Sequence, residues 1–281
     1  MPVQSIYQPI TSSRTLGYVF WIASLFGVYA ILPVALELSP YGYVNEMPSE
    51  FHAALSLVLG WLLVFRTNTA YSRWWEARTL WGALVNACRN AALKFTQLGT
   101  LPAEQKSEAR ELLAAFPVAL RCHLRDETKT LLPVPVVELS ESARHPPQML
   151  AAKLYRLTGN AKRAGYLDGD ELRILDAELL RLMDVCGGCE RILKTRIVKS
   201  YRVFARQCVV IFLVSLPWGF AHDFGLWTLP LTMISAYFML GLETVAEHVE
   251  EPFGYDDDDL DLESLCATID TSVEEIFALE Q

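Results

Sequence analysis

Residues 51–81 read FHAALSLVLGWLLVFRTNTAYSRWWEARTLW. The apolar part, residues 51–65, is 15 residues long, and length alone makes it a buried core helix rather than a membrane span. The next sixteen residues change that reading. Neither Pro nor Gly interrupts residues 66–81, so the sequence predicts one rod that leaves a membrane near Arg66 and runs on towards Leu98. Within it Leu57, Trp61 and Phe65 recur at i, i+4 and i+8 and share one helical face. Such a stripe serves ordinary packing, or it forms one wall of a hydrophobic constriction that gates ions by dewetting. The second use requires an oligomer, because one helix cannot make a ring. Thr67, Asn68, Thr69, Tyr71 and Ser72 then either line a wet vestibule or form a solvated surface. Arg66, Arg73, Glu76 and Arg78 are expected to pair with one another or with acidic partners, with Trp74 and Trp75 at headgroup depth.

On the N-terminal side, residues 16–36 carry no charge and would span about 31 Å as a helix, close to the hydrocarbon thickness of a bilayer. Towards the C-terminus, residues 208–220 and 224–242 read as a helical hairpin with a turn around residues 221–223, Pro217 and Pro230 kinking or bounding the spans. Lys and Arg are missing from residues 37–50 and 217–225 and flank the other span ends. That bias places both termini in the cytoplasm. Between the second and third spans, residues 103–124, 147–162 and 170–194 are helix candidates, with a Pro-rich loop at 132–147.

Composition agrees with this picture. Of the 281 residues, 52% are hydrophobic and 20% charged, which excludes a disordered chain or a disulfide framework. Residues 1–206 hold all 24 Lys and Arg against 18 acidic residues, whereas residues 207–281 hold 15 acidic residues and no basic one. A nucleic-acid role for the tail is excluded by its sign. The run EEPFGYDDDD at 250–259 sets a Pro/Gly turn before four carboxylates, a pattern that suits a hard cation or simply a solvated acidic loop. Cys186-Gly187-Gly188-Cys189 is a lone CxxC, read as two packed thiols. No Ser/His/Asp order and no phosphate-cradling Gly loop is present, so no enzyme is expected.

The segment FRTNTAYSRWWEAR at 65–78, with LWG at 80–82, GGCER at 187–191 and EEPFG at 250–254, resembles the ordered signature of bestrophins, particularly their bacterial members. The resemblance covers nearly the whole chain. It implies a homopentameric ion channel with one axial pore, whose neck of three apolar rings maps onto Leu57, Trp61 and Phe65. Trp61 departs from the Ile or Phe more often found there, and its bulk would tighten the resting neck. A second, cytosolic constriction in the family lies near the start of a helix that begins here around Asp170. The family often has an apolar residue at that point, and a ring of Asp would disfavour anions. Asp170 also reads as a helix N-cap. Animal members bind Ca²⁺ at an acidic cluster after the Pro-Phe-Gly turn, which maps onto Glu251, Asp256 and Asp259. Tyr255 stands where the animal cluster begins with a carboxylate, which leaves calcium binding open.

The expected fold is therefore all-α: an integral membrane protein with four transmembrane helices and a cytoplasmic helical domain, assembled as a pentamer. Residues 1–98 hold the first two spans and the pore-lining helix, 99–200 the cytoplasmic domain, 201–242 the last two spans, and 243–281 an acidic tail. The expected function is passive conduction of monovalent anions such as chloride across the cytoplasmic membrane. The partners are self, the lipid bilayer and small ions. A monovalent cation channel of the same fold and a non-conducting membrane scaffold are the alternatives.

Overall fold

A computed structural model describes residues 14–40, 49–127, 144–256 and 258–279. Among the described residues there is no strand. The helices are α1 (Arg14–Tyr29), α2 (Ile31–Glu37), α3 (Ser49–Gln97), α4 (Ala103–Leu124), α5 (Pro146–Arg163), α6 (Gly169–Lys194), α7 (Lys199–Phe224), a 3-10 turn (Gly225–Trp227), α8 (Thr228–Glu250) and α9 (Leu262–Ala278). Among the described residues three stretches are long and apolar enough to cross a membrane: Thr15–Glu37, Glu50–Gln97 and Lys199–Glu250. The last contains both α7 and α8, so the two spans of the expected hairpin lie within it.

One expectation is corrected by the helix boundaries, and another is refined. The span expected at 16–36 corresponds to the single apolar stretch Thr15–Glu37, interrupted at one residue. Pro33 has no N–H to give to the carbonyl of Tyr29, and its ring crowds that carbonyl, so the ladder breaks between α1 and α2 at Ala30. The hairpin turn lies later than residues 221–223, which are still helical. It falls at Gly225, whose φ of +50° is open to glycine at little cost, whereas the polar His222 and Asp223 end nothing. Pro217 sits inside α7. Pro230, in the first turn of α8, forfeits no helical hydrogen bond.

The chain divides into two compact units. The first comprises residues 1–72, 196–251 and 256–258. In it α1 packs on α8, and α7 on both α2 and α8. Ala23, Leu59, Leu63, Val209, Phe212, Leu213, Leu216 and Ala236 form its core. Tyr29 links α1 to α7: it accepts from Trp218 Nε1 at 2.7 Å and donates to the Val214 carbonyl at 3.2 Å. Outside that core large apolar side chains face outward, with Tyr18, Trp21, Val28, Ile211 and Phe238 all exposed, as lipid contact requires.

The second unit comprises residues 73–195, 252–255 and 259–281. Its core is built on Trp81, Phe95, Phe116, Leu120, Leu150, Leu154, Leu179 and Leu182, with α4 packed against α5, α6 and α9, and α5 against α6. The division runs through α3 rather than at its end, because the C-terminal part of that helix buries Trp81, Leu84 and Phe95 in this core. The acidic tail is likewise not a single element. Residues up to Glu250 finish α8, and Leu262–Ala278 form α9, unanticipated from sequence, which buries Leu262, Cys266, Ile269, Val273 and Phe277. The start of α6 is fixed by a capping box, in which Asp168 accepts from the Asp170 and Glu171 amides at 2.8 and 2.7 Å and Glu171 accepts from the Asp168 amide at 2.9 Å. The helices expected at 103–124, 147–162 and 170–194 correspond to α4, α5 and α6. Of the Pro-rich loop at 132–147, residues 132–143 lie outside the described residues, and Pro146 and Pro147 open α5.

Candidate functional site

α3 is 49 residues long, about 73 Å at 1.5 Å per residue and more than twice the roughly 30 Å of a bilayer core. Its rotation at membrane depth is set by what it buries. Leu59 and Leu63 enter the core of the first unit, and Ala70 is also fully buried. Between them Arg66 is wholly buried and ion-paired with Glu243 of α8. Arg206 of α7 approaches the same carboxylate oxygen at 3.5 Å and pairs with Glu247 at 2.8 Å. Tyr201 of α7 donates to the Leu62 carbonyl at 3.0 Å.

With that face occupied, Leu57, Trp61 and Phe65 point the other way. They are 66, 66 and 61% exposed in the single subunit, and the Trp61 and Phe65 rings meet edge to face with centroids 6.4 Å apart. The exposed face continues into Asn68 and Ser72. Here the hydroxyls already donate within the helix: Thr67 to Leu63, Thr69 to Phe65 and Ser72 to Asn68, at 2.8–2.9 Å. What these hydroxyls have left to present is lone pairs.

In the second unit two of the charges expected to pair, Glu76 and Arg73, meet α6 and its C-cap. Glu76 pairs with Arg191 at 2.5 Å. Arg73 donates to the Thr195 carbonyl and, at 2.7 Å, to that of Ile192, capping the negative end of α6. Asp170 lies in the first turn of α6, exposed and paired with Arg173, while Asp168 is the N-cap. The exposed apolar side chain nearest this helix start is Ile174, one turn beyond Asp170.

The acidic run is engaged at several points. Glu251 pairs with Arg196 at 2.6 Å, Asp258 lies 4.0 Å from His248, and Asp261 caps α9 by accepting from the Ser264 amide at 2.9 Å. Asp256 is exposed and Asp259 half-buried. Cys186 and Cys189 are free and buried. Sequence reading missed one group altogether: among the described residues, three potential metal donors that lie within 4.8 Å of one another are His123, His145 and Glu190. They come from α4, the N-cap of α5 and α6, and no spacing along the chain announces them.

A sequence model of a protein family described as bacterial and fungal bestrophin matches residues 8–275. A voltage-dependent anion channel-forming protein of Nostoc is 32% identical over 265 residues, covering 91% of this chain and 85% of the relative. One from Ralstonia nicotianae is 33% identical over 262 residues, covering 90 and 85%. The crystal structure of a bacterial bestrophin homologue from Klebsiella pneumoniae matches with a TM-score of 0.81 at 26% identity, over 93% of this chain and 98% of that one.

Proposed function

The chain belongs to the bacterial and fungal bestrophin family, and we propose that it is a passive anion channel, assembled as a homopentamer around one axial pore in the cytoplasmic membrane. The observation that carries the reading is the face of α3. A helix clamped by a buried ion pair on one side presents Leu57, Trp61 and Phe65 unpartnered on the other, and five such stripes around an axis make three apolar rings. Water leaves a narrow pore whose wall offers no hydrogen bonds, and an ion then meets a desolvation barrier of several kcal/mol, on the order of the cost of an unpaired polar group. The rings therefore gate rather than select. Trp61 adds bulk at the middle ring.

The anion assignment rests on the relatives named as anion channel-forming proteins, with chloride as the abundant candidate. Asn68, just past the rings, supplies an amide donor. For the second constriction, the exposed Ile174 offers the apolar side chain that the family pattern calls for, one turn beyond the carboxylate of Asp170. The distribution of Lys and Arg supports cytoplasmic termini.

Conduction of monovalent cations is the second reading, favoured by the lone pairs that Thr69 and Ser72 present. Recording of the purified protein in planar bilayers with a tenfold potassium chloride gradient decides. A purely anion-selective pore reverses at the chloride equilibrium potential, about 59 mV in magnitude. Reversal at the opposite sign identifies the cation channel, and absence of current identifies a non-conducting scaffold.

A further inference from the structure

His123 lies in the last turn of α4, His145 is the residue that caps α5, and Glu190 lies on α6. Both imidazoles aim Nε2 at the same oxygen: His123 Nε2 is 2.7 Å and His145 Nε2 2.6 Å from Glu190 Oε1. The two rings lie 4.3 Å apart, tilted by 35°. Lys194 donates to the other carboxylate oxygen at 3.1 Å. All three side chains are half-buried, at 22, 28 and 19% exposure, so an ion can reach them from solvent without the site being a flat surface. We propose that His123, His145 and Glu190 form a binding site for one Zn²⁺ per subunit, which ties α4, α5 and α6 together.

Two imidazoles and one carboxylate are a complete three-ligand set for zinc, with the fourth tetrahedral position left to water. Donor atoms of a tetrahedral zinc site stand about 3.3 Å apart when metal–ligand bonds are about 2.0–2.1 Å. The two N···O separations, 2.7 and 2.6 Å, are shorter, so each ring has to retreat from the carboxylate oxygen by about 0.6–0.7 Å, within reach of small side-chain torsions. Glu190 presents Oε1 to both imidazoles, whereas the nearby thiols are buried. Burial pushes Cys186 up to about 12 and raises Cys189 as well.

The site carries its own structural signature. His145 Nδ1 accepts from the Gln148 amide at 3.2 Å, which keeps the ring proton on Nε2, where it is directed at Glu190. Zinc at Nε2 requires that proton to move to Nδ1. The ring stays neutral and no proton is lost, but Nδ1 no longer accepts. The Gln148 amide is then released from its cap.

The test uses the full chain purified in detergent and stripped with EDTA. Zn²⁺ is titrated against a chromophoric chelator, with one equivalent per chain expected. That equivalent should vanish in a variant carrying His123→Ala and His145→Ala and persist in one carrying Cys186→Ser and Cys189→Ser. Co²⁺ added to the wild-type protein gives a readout independent of whether any variant folds, namely visible d–d bands without thiolate charge transfer. Hydrogen exchange at Gln148 should speed up on loading. Absence of a stoichiometric site, survival of binding without both histidines, a thiolate band, or unchanged Gln148 exchange on loading overturns the proposal.

Discussion

Removing one partner from the Arg66–Glu243 pair should have unequal consequences depending on which partner goes. Arg66 is wholly buried, and its Nε and Nη2 have no hydrogen-bond partner among the described residues. Glu243→Leu therefore strands a guanidinium that cannot be neutralised, at a cost of about 3–5 kcal/mol. Arg66→Met strands a carboxylate that still has Arg206 at 3.5 Å. The remaining cation compensates part of the loss, and the cost falls to about 1–3 kcal/mol. Replacing both removes the buried charges together and leaves Arg206 paired with Glu247. The double variant should lie near wild type or above it. At roughly 2–4 °C per kcal/mol for a chain of this size, Glu243→Leu lowers Tm by about 6–20 °C. Thermal scans followed by tryptophan fluorescence in one detergent at one scan rate measure this, since unfolding in detergent is kinetic. The reasoning is refuted if Arg66→Met costs as much as Glu243→Leu, or if the double variant loses the sum of the two.

Three other outcomes are expected. Replacing Leu57, Trp61 and Phe65 together by Ala should raise open probability and leave the sign of selectivity unchanged; single-channel recording that shows wild-type gating in a normally assembled variant makes these residues packing rather than pore. Native mass measurement in mild detergent should give five chains, and a monomer or dimer contradicts the ring. At pH 8 the thiols of Cys122, Cys186 and Cys266 should resist aqueous maleimide until the protein is unfolded. Burial pushes them up to about 11, 12 and 12, with Glu127 adding to the effect on Cys122 and Glu190 on Cys186. Thiolate is the reacting form, so rapid labelling of the folded protein counts against that burial.

Helix existence was legible wherever punctuation was local. The helices at 103–124 and 170–194 were placed from their pattern, but the N-cap was read at Asp170, whereas Asp168 holds that position and Glu171 completes the box. The turn at Gly225 was misplaced because the polar His222 and Asp223 look like loop residues, yet both remain in α7. α9 was missed because the Asp run before it dominated the reading, although Leu262, Cys266, Ile269 and Val273 follow helical spacing. The α3 stripe was readable from its period alone. Which side of α3 is clamped was not, since Arg66 and Glu243 lie 177 residues apart. The same holds for His123 and His145, 67 and 45 residues from Glu190. Periodicity finds faces; it does not find partners from distant parts of the chain.

The second unit is made from separated pieces of chain, which bears on how the protein is synthesised. The α4 face that receives Ile269, Val273 and Phe277 is translated early, but α9 emerges only after α7 and α8. The 86 residues after Thr195 take about 4–17 s at roughly 5–20 residues per second. Throughout that interval the ribosome holds a nascent chain with an uncovered apolar groove, and α7 and α8 are completed before α9 is made. A chain that terminates before α9 presents the groove to chaperones and proteases rather than to that helix.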